Sequence, residues 1–134
     1  MSKERINPAS LFCSLESGFS QGVLPSGRRT LYIAGQTAWD ANRRLVGGAD
    51  LGAQVRHALA NVREVVVAAG GTPADVVSLR IHIVNYTPDN AQAIGEAFRE
   101  YFPGASVPAM TWIGVSALAD PGFLVEIEAT AVLD

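Results

Sequence analysis

The chain has 134 residues, of which 49% are hydrophobic and 17% are charged, and its formal net charge is −3. This length and apolar content suit one domain with one hydrophobic core, and we expect residues 1–134 to form it. The negative charge and the scattered pairs Arg28-Arg29 and Arg43-Arg44 supply no broad basic surface, which argues against nucleic acid as a partner.

The sequence also carries no clear signal for export or for membrane insertion. Cys13 is the only cysteine, which excludes an internal disulfide. Residues 1–5 are not followed by the continuous apolar segment of a secretory signal. The strongly apolar stretch around residues 65–71 is far shorter than the roughly 20 residues of a membrane span. We therefore expect a cytoplasmic protein that does not cross a bilayer.

Residues 12–27 contain Gly18, Gly22, Pro25 and Gly27, and this composition predicts short strands joined by a tight turn. Residues 30–34 then predict a buried strand before Gly35. From Asp50 to Ala69 apolar residues recur at steps of three and four, which predicts an amphipathic helix. Asp50 can cap its start and Gly70 its end. Gln54 falls on the polar side of this helix.

Residues 76–84 alternate between apolar and polar side chains and predict a strand. Leu79 and Ile81 belong to its core side, and Ser78, Arg80 and His82 belong to the opposite side. Pro88, directly after Thr87, is typical of the first position of a helix. This second amphipathic helix ends before Pro103-Gly104.

Two alternating runs, residues 107–116 and 123–132, flank the turn signal Asp120-Pro121-Gly122. In the second run Glu126 and Glu128 share one face, since successive strand side chains point to opposite sides. Two carboxylates therefore lie together on one surface of the predicted sheet.

This order of elements predicts an α+β fold with a mixed sheet and both helices packed on one face. We expect the other face to present Met110, Trp112 and Leu124 together with Arg80, His82 and the two glutamates. A face of this composition favours burial against further copies of the chain, hence a homo-oligomer.

Several motifs in the same order resemble those of the RidA family, also called the YjgF/YER057c/UK114 family. They are Gly18-Phe19-Ser20-Gln21-Gly22, Ala34-Gly35-Gln36, the helix from Gln54 to Gly70, Pro108-Ala109 and Val125-Glu126-Ile127-Glu128-Ala129. The resemblance implies a chorismate-mutase-like fold, a homotrimer with ligand clefts between subunits, and hydrolysis of reactive enamines and imines to ketoacids and ammonia.

The resemblance also assigns roles at these positions. Glu126 matches the glutamate thought to orient the attacking water, so it is the candidate catalytic residue. Met110 occupies the position at which deaminating members bind the substrate carboxylate with an arginine. A thioether cannot make those two charge-assisted hydrogen bonds, and their loss typically costs a roughly hundredfold drop in affinity. Phe19 replaces a frequent tyrosine, and Trp112 replaces a smaller residue.

Several of the remaining candidates have two interpretations. Arg80 either forms a structural ion pair with Glu126 or anchors an anion of the ligand. Phe19 and Trp112 either line an apolar pocket or serve plain packing. Gly35 and the backbone around Thr111-Trp112 can donate amide hydrogen bonds to a ligand oxygen. Glu126 itself could instead form an interface ion pair.

The two histidines are too isolated to indicate a metal site, and we expect neither a metal nor a cofactor. The first functional hypothesis is a hydrolase acting on an enamine or imine other than the usual amino-acid-derived ones. The alternative is a non-catalytic trimer that binds a small metabolite or a partner protein. A ribonuclease is the least favoured, because the chain is acidic.

Overall fold

The computed structural model describes residues 3–17, 19–104 and 107–134. These segments form helices α1 (Leu51–Ala68) and α2 (Ala91–Tyr101) and six strands. The strands are β1 (Lys3–Ile6), β2 (Gly22–Pro25), β3 (Arg29–Gln36), β4 (Val76–Val84), β5 (Ala109–Val115) and β6 (Val125–Leu133).

The main sheet has four strands in the order β3-β6-β4-β5, and β1 and β2 form a separate antiparallel pair. Among the described strands of the main sheet, β4 and β5 pair in parallel and the other two pairings are antiparallel, so the sheet is mixed. Both helices bury their apolar residues against one face, where Leu79, Ile81 and Ile127 are at most 1% exposed. The predicted α+β fold is confirmed.

Local capping explains where the helices begin and end. The Asp50 carboxylate accepts a hydrogen bond from the Ala53 N–H at 3.1 Å, and Gly70 adopts a φ of +90° just beyond α1. Pro88 opens a short 3₁₀ turn, Pro88–Asn90, that leads into α2. The Thr87 N–H donates to the Asn90 side chain at 2.8 Å, which fixes this entry.

The N-terminal third differs from the sequence prediction in two ways. Residues 12–27 contain a 3₁₀ turn, Ser14–Ser17, and the single strand β2, whose partner is β1. Gly18 lies outside the described residues. The predicted buried strand at residues 30–34 is instead the edge strand β3, in which Ile33 is buried but Tyr32 is 80% exposed. An edge position leaves much of the strand uncovered.

The side chains of β5 also face differently from the prediction. The parallel register pairs Met110 with Leu79 and Trp112 with Ile81, so both lie on the helix-covered side. The Trp112 ring packs against Phe98 of α2. The expectation that Met110 and Trp112 share a face with Arg80 is therefore wrong. Both alternating sets of β5 are largely apolar, so alternation alone does not distinguish its core side.

Gln54 provides a third difference, because it is fully buried instead of lying on an exposed polar side of α1. Its amide donates to the Gly48 and Gly122 carbonyl oxygens and accepts from the Leu124 N–H at 3.0 Å. Two turns later in the helix, the Asn61 amide donates to the Trp39 carbonyl oxygen at 3.0 Å. The polar residues of α1 thus hold the loops that follow β3 and precede β6.

An ion pair joins the first strand to the start of β4. The Lys3 ammonium lies 2.9 Å from the Asp75 carboxylate, and the Lys3 side chain is 8% exposed. Burial alone would raise the pKa of Asp75, but hydrogen bonds from Lys3 and from the Thr72 N–H hold that pKa below its usual value. None of the helices in residues 3–17, 19–104 and 107–134 is long and apolar enough to cross a membrane.

We predict that Gln54→Met lowers the free energy of unfolding by about 2–4 kcal/mol, because three buried backbone groups lose their partner while the side-chain volume is nearly kept. Chemical denaturation monitored by circular dichroism measures the change. Gln92→Met on the exposed side of α2 is the control, with an expected change within about 0.5 kcal/mol. A similarly small effect of Gln54→Met would contradict the role of the amide.

Candidate functional site

The face of the main sheet opposite the helices carries a cluster of polar side chains, and we call it the helix-free face. Strand register brings its members together in cross-strand pairs. They are Tyr32 with Thr130, Ser78 with Thr130, Arg80 with Glu128, and His82 with Glu126. The predicted placement of Ser78, Arg80 and His82 opposite the core side of β4 is confirmed.

Glu126 lies against Gly35 at one corner of this face. A Cβ atom on Gly35 would stand 2.7 Å from the Glu126 Cδ, closer than non-bonded atoms approach. The pairing of β3 with β6 shifts register between Ile33 and Gln36, so a bulge lies beside the carboxylate. Bulges of this kind often redirect side chains next to active sites. The absence of a side chain at Gly35 makes room for the Glu126 carboxylate.

Arg80 faces Glu128 and not Glu126. Its Nη1 lies 3.9 Å from the Glu128 Oε1, and the His82 Nε2 lies at the same distance from that oxygen. The predicted Arg80–Glu126 pair is therefore wrong, because the antiparallel register sets Glu126 opposite His82. Within the described residues, the enclosed Nδ1 of His82 has no hydrogen-bond partner.

Met110, Thr111 and Trp112 divide between the two faces of β5. The Trp112 indole N–H donates to the Met110 sulfur at 3.3 Å on the helix-covered side. Thr111 is exposed on the helix-free face, in register with Arg80. The indole and the thioether therefore form one half-buried apolar unit at the β5 edge of the sheet.

Phe19 lies near the same edge. The Ser20 that follows it pairs with Ala109 at the start of β5, and the Ser20 N–H donates to the Pro108 carbonyl oxygen at 3.0 Å. The Phe19 ring meets Phe12 edge to face, with ring centres 5.9 Å apart. Phe12 is itself 66% exposed. An aromatic pair thus borders the end of β5 that carries Met110.

Five of the seven sequence-predicted site residues form two groups in one chain, and the other two, Arg80 and Thr111, are paired in register across β4 and β5. Glu126 and Gly35 lie on β6 and β3, whereas Phe19, Met110 and Trp112 lie at the opposite edge of the sheet. Neighbouring strands are about 4.8 Å apart, so β6 and β5 are separated by about 10 Å. A single copy of the chain does not bring these two groups together.

The sequence prediction did not single out Tyr32, Ser78 and Thr130, although they adjoin Arg80 and Glu128. Strand alternation was a usable signal, since Ser78 and Thr130 stand two residues from Arg80 and Glu128 in their strands. Among the residues that the structure describes, no cluster of three histidine, cysteine or acidic side chains could hold a metal ion. The chemistry available here is that of carboxylates, a guanidinium, an imidazole and hydroxyl groups.

These features define a class: an α+β protein in which two helices cover one side of a mixed four-stranded sheet and polar side chains occupy the other. The sequence profile of the Endoribonuclease L-PSP family matches residues 14–133. The chain belongs to this family, and the predicted relationship to the RidA (YjgF/YER057c/UK114) proteins is confirmed.

Three solved structures illustrate the relationship. YyfB from Yersinia pestis, a protein of unknown function of the conserved Rid family, is 50% identical over 99% of this chain and 100% of its own, with a TM-score of 0.95. A YjgF/YER057c/UK114 member from Mycobacterium tuberculosis is 31% identical over 98% and 100%, with a TM-score of 0.66. E. coli TdcF with bound serine is 27% identical over 87% of each chain, with a TM-score of 0.70.

We predict that Gly35→Ala displaces the Glu126 carboxylate with little loss of stability, because the atoms in its way belong to one flexible side chain. A crystal structure of the variant should show a changed Glu126 side-chain conformation, and thermal unfolding should stay close to that of the wild type. Gly22→Ala is the control, since its added Cβ comes no closer than 3.7 Å to other atoms. An unmoved Glu126 in Gly35→Ala would contradict the steric argument.

Proposed function

We propose that the chain forms a homotrimer with small-molecule clefts between its subunits, and that Glu126 promotes hydrolytic deamination of an enamine or imine there. One observation carries this proposal: the Glu126 carboxylate is held against Gly35 on a sheet face that the helices leave open. The trimer and the type of reaction rest on the RidA resemblance.

The separation of the two residue groups supports a site shared between subunits. A second copy that brings its β5 edge against the Glu126 corner would unite the carboxylate with Met110, Thr111 and Trp112. Tyr32 on the edge strand β3, next to β6, is 80% exposed, which is consistent with such a contact. Pockets for small ligands commonly lie at interfaces between domains.

The proposed reaction needs one water molecule and no oxidant. An enamine first gains a proton on its β-carbon and loses one from its nitrogen, which gives the imine. Water then adds to the imine carbon while the Glu126 carboxylate accepts its proton and returns it to the nitrogen. In the resulting carbinolamine the hydroxyl proton is transferred to the amino nitrogen, and the C–N bond breaks to release ammonia and leave a carbonyl compound. Backbone amides near Gly35 and Thr111 would orient the substrate.

Met110 directs the choice of substrate. Its sulfur accepts the Trp112 N–H and offers no positive charge, so an α-carboxylate gains no ion pair at this position. We infer a substrate that is neutral near the reacting carbon and presents an apolar or flat group to the indole. TdcF was solved with serine bound, which supports a small metabolite as the ligand of the cleft proposed here.

A second candidate function is binding of a small metabolite or of a partner protein without turnover. Met110 favours this second function. A chain that keeps the fold but lacks the carboxylate-binding arginine could still bind a ligand without turning it over. Ribonuclease activity, to which the family name refers, is disfavoured by the net charge of −3 and by the carboxylates of Glu126 and Glu128 on the helix-free face.

We predict that the wild-type protein releases ammonia from neutral imines and that Glu126→Gln slows this by roughly a hundredfold or more, because the amide cannot accept the proton. The measurement is ammonia production across a panel of neutral imines and 2-aminoacrylate. Glu64→Gln on the exposed side of α1 removes an equal charge and should leave the rate unchanged.

Several outcomes of this experiment count against the proposal. A sample that sediments as a monomer at micromolar concentration excludes the shared cleft. Absence of ammonia from every compound rejects the hydrolase, and ligands that raise the melting temperature without being consumed would then support binding alone. Equal rates for Glu126→Gln and the wild type would remove Glu126 from the reaction.

We predict that Met110→Arg raises kcat/KM for 2-aminoacrylate by roughly a hundredfold, since the guanidinium restores two charge-assisted hydrogen bonds to a carboxylate. Steady-state ammonia release measures the gain, and sedimentation checks that the assembly is retained. Met110→Lys is the control, because it adds the charge without the planar fork and should give a smaller gain. A trimeric Met110→Arg with no gain would refute the assignment of position 110.

A further inference from the structure

We propose that the loop of residues 7–15 forms one wall of the shared cleft, and that its Phe12 ring selects substrates that carry an aromatic group. This inference rests on the cleft proposed above and narrows its substrate class to neutral imines and enamines with an aromatic ring. The family profile begins to match at residue 14, so Phe12 precedes the matched segment. The family relationship therefore assigns no role to this ring.

The residues that follow the loop place it at the β5 edge of the sheet. Phe19 directly precedes Ser20, which pairs with Ala109 at the start of β5, and Met110 is the next residue of that strand. The Phe12 and Phe19 rings meet edge to face, with their centres 5.9 Å apart. This is an attractive geometry for two aromatic rings. Phe12 therefore extends the aromatic surface that Phe19 begins at this edge.

Side-chain hydrogen bonds close the loop at its base. The Asn7 side-chain oxygen accepts from the Gln21 N–H at 2.8 Å and from the Ser14 hydroxyl at 3.4 Å. The Gln21 side-chain amide donates to the Phe12 carbonyl oxygen at 3.2 Å. The backbone that carries the ring is therefore held before any ligand arrives. A side chain on a fixed backbone loses less freedom on binding, which favours selective contacts.

The exposure of the loop fits a surface that a neighbouring subunit completes. In one chain Leu11, Phe12 and Leu15 are 51%, 66% and 40% exposed. Exposed apolar clusters commonly mark surfaces that bind a partner or a ligand. The proposed assembly brings the β5 edge against the Glu126 corner of another copy, so the neighbour covers part of the loop. The Phe12 ring adjoins Phe19, and it is the member of the loop that faces the ligand.

The chemistry of this edge suits an aromatic ligand group. Phe12 and Phe19 contribute two phenyl rings. Met110 and Trp112 contribute a thioether and an indole at the same edge of the sheet. None of these four side chains carries a charge. Aromatic groups pack favourably on one another and on sulfur, so a flat ring gains contacts here that a short alkyl group cannot make.

The experiment uses two ketones that correspond to hydrolysis products of neutral imines, acetophenone and 2-butanone. The assembled full-length protein is titrated with each by isothermal calorimetry, and acetophenone should bind roughly tenfold more tightly. Phe12→Ala should weaken acetophenone binding by roughly tenfold, the loss of one aromatic contact, and change butanone binding by less than about twofold. Phe12→Leu keeps an apolar side chain and should give an intermediate affinity for acetophenone. Val67→Ala shortens an exposed apolar side chain of α1 and should leave both affinities unchanged.

The inference is overturned if acetophenone binds no more tightly than butanone, or if Phe12→Ala weakens both ketones equally. It is also overturned if Phe12→Ala sediments as a smaller particle than the wild type, because the ring would then serve subunit packing. Ammonia release is scored separately. If the wild type releases no ammonia but Phe12→Ala loses the preference for acetophenone, the deamination fails and the cleft wall stands. If Phe12→Ala releases ammonia and keeps that preference, the cleft wall alone fails.

Discussion

Strand β6 is hydrogen-bonded to β3 on one side and to β4 on the other, and its register determines the composition of both faces of the sheet. Side chains alternate along it between the core and the helix-free face. A slip of one residue would therefore exchange Ile127 for a glutamate in the core, at a prohibitive cost in burying charge. The same register pairs Glu126 with His82 and Glu128 with Arg80. Hydrophobic burial on one side thus fixes the polar arrangement on the other.

Helix α1 contributes to this register through Gln54. Its amide holds the Gly48 and Gly122 carbonyl oxygens and the Leu124 N–H, and Leu124 comes two residues before Glu126. A buried side chain on the outer layer therefore positions the chain where it enters β6. The loop after β3 is held from the same helix by Asn61. The two loops that flank the Gly35–Glu126 corner are thus tied to one rigid element.

Sequence patterns predicted those strands in which one alternating set is apolar and the other polar. Strand β4 and strand β6 have that character, and the positions of Arg80 and Glu126 were found accordingly. Strand β5 lacks it, so Met110 and Trp112 were assigned to the wrong face. Periodicity placed Gln54 on the exposed side of α1 because the residue is polar. The Gly122 and Leu124 backbone groups that bond its amide are 68 and 70 residues away in sequence. The choice of Glu128 as the partner of Arg80 depends on strand register, which no local pattern contains.

The irregularity between Ile33 and Gln36 has a consequence for solubility. In the described part of the chain, β3 bonds within the main sheet to β6 alone, which leaves one side of its backbone open. Open strand edges promote amyloid-like pairing between molecules. The bulge interrupts this edge, and the neighbouring Arg28 and Arg29 add charge at its start. The bulge in β3 beside the Glu126 carboxylate therefore also shortens the regular strand edge to which a misfolded molecule could add a strand.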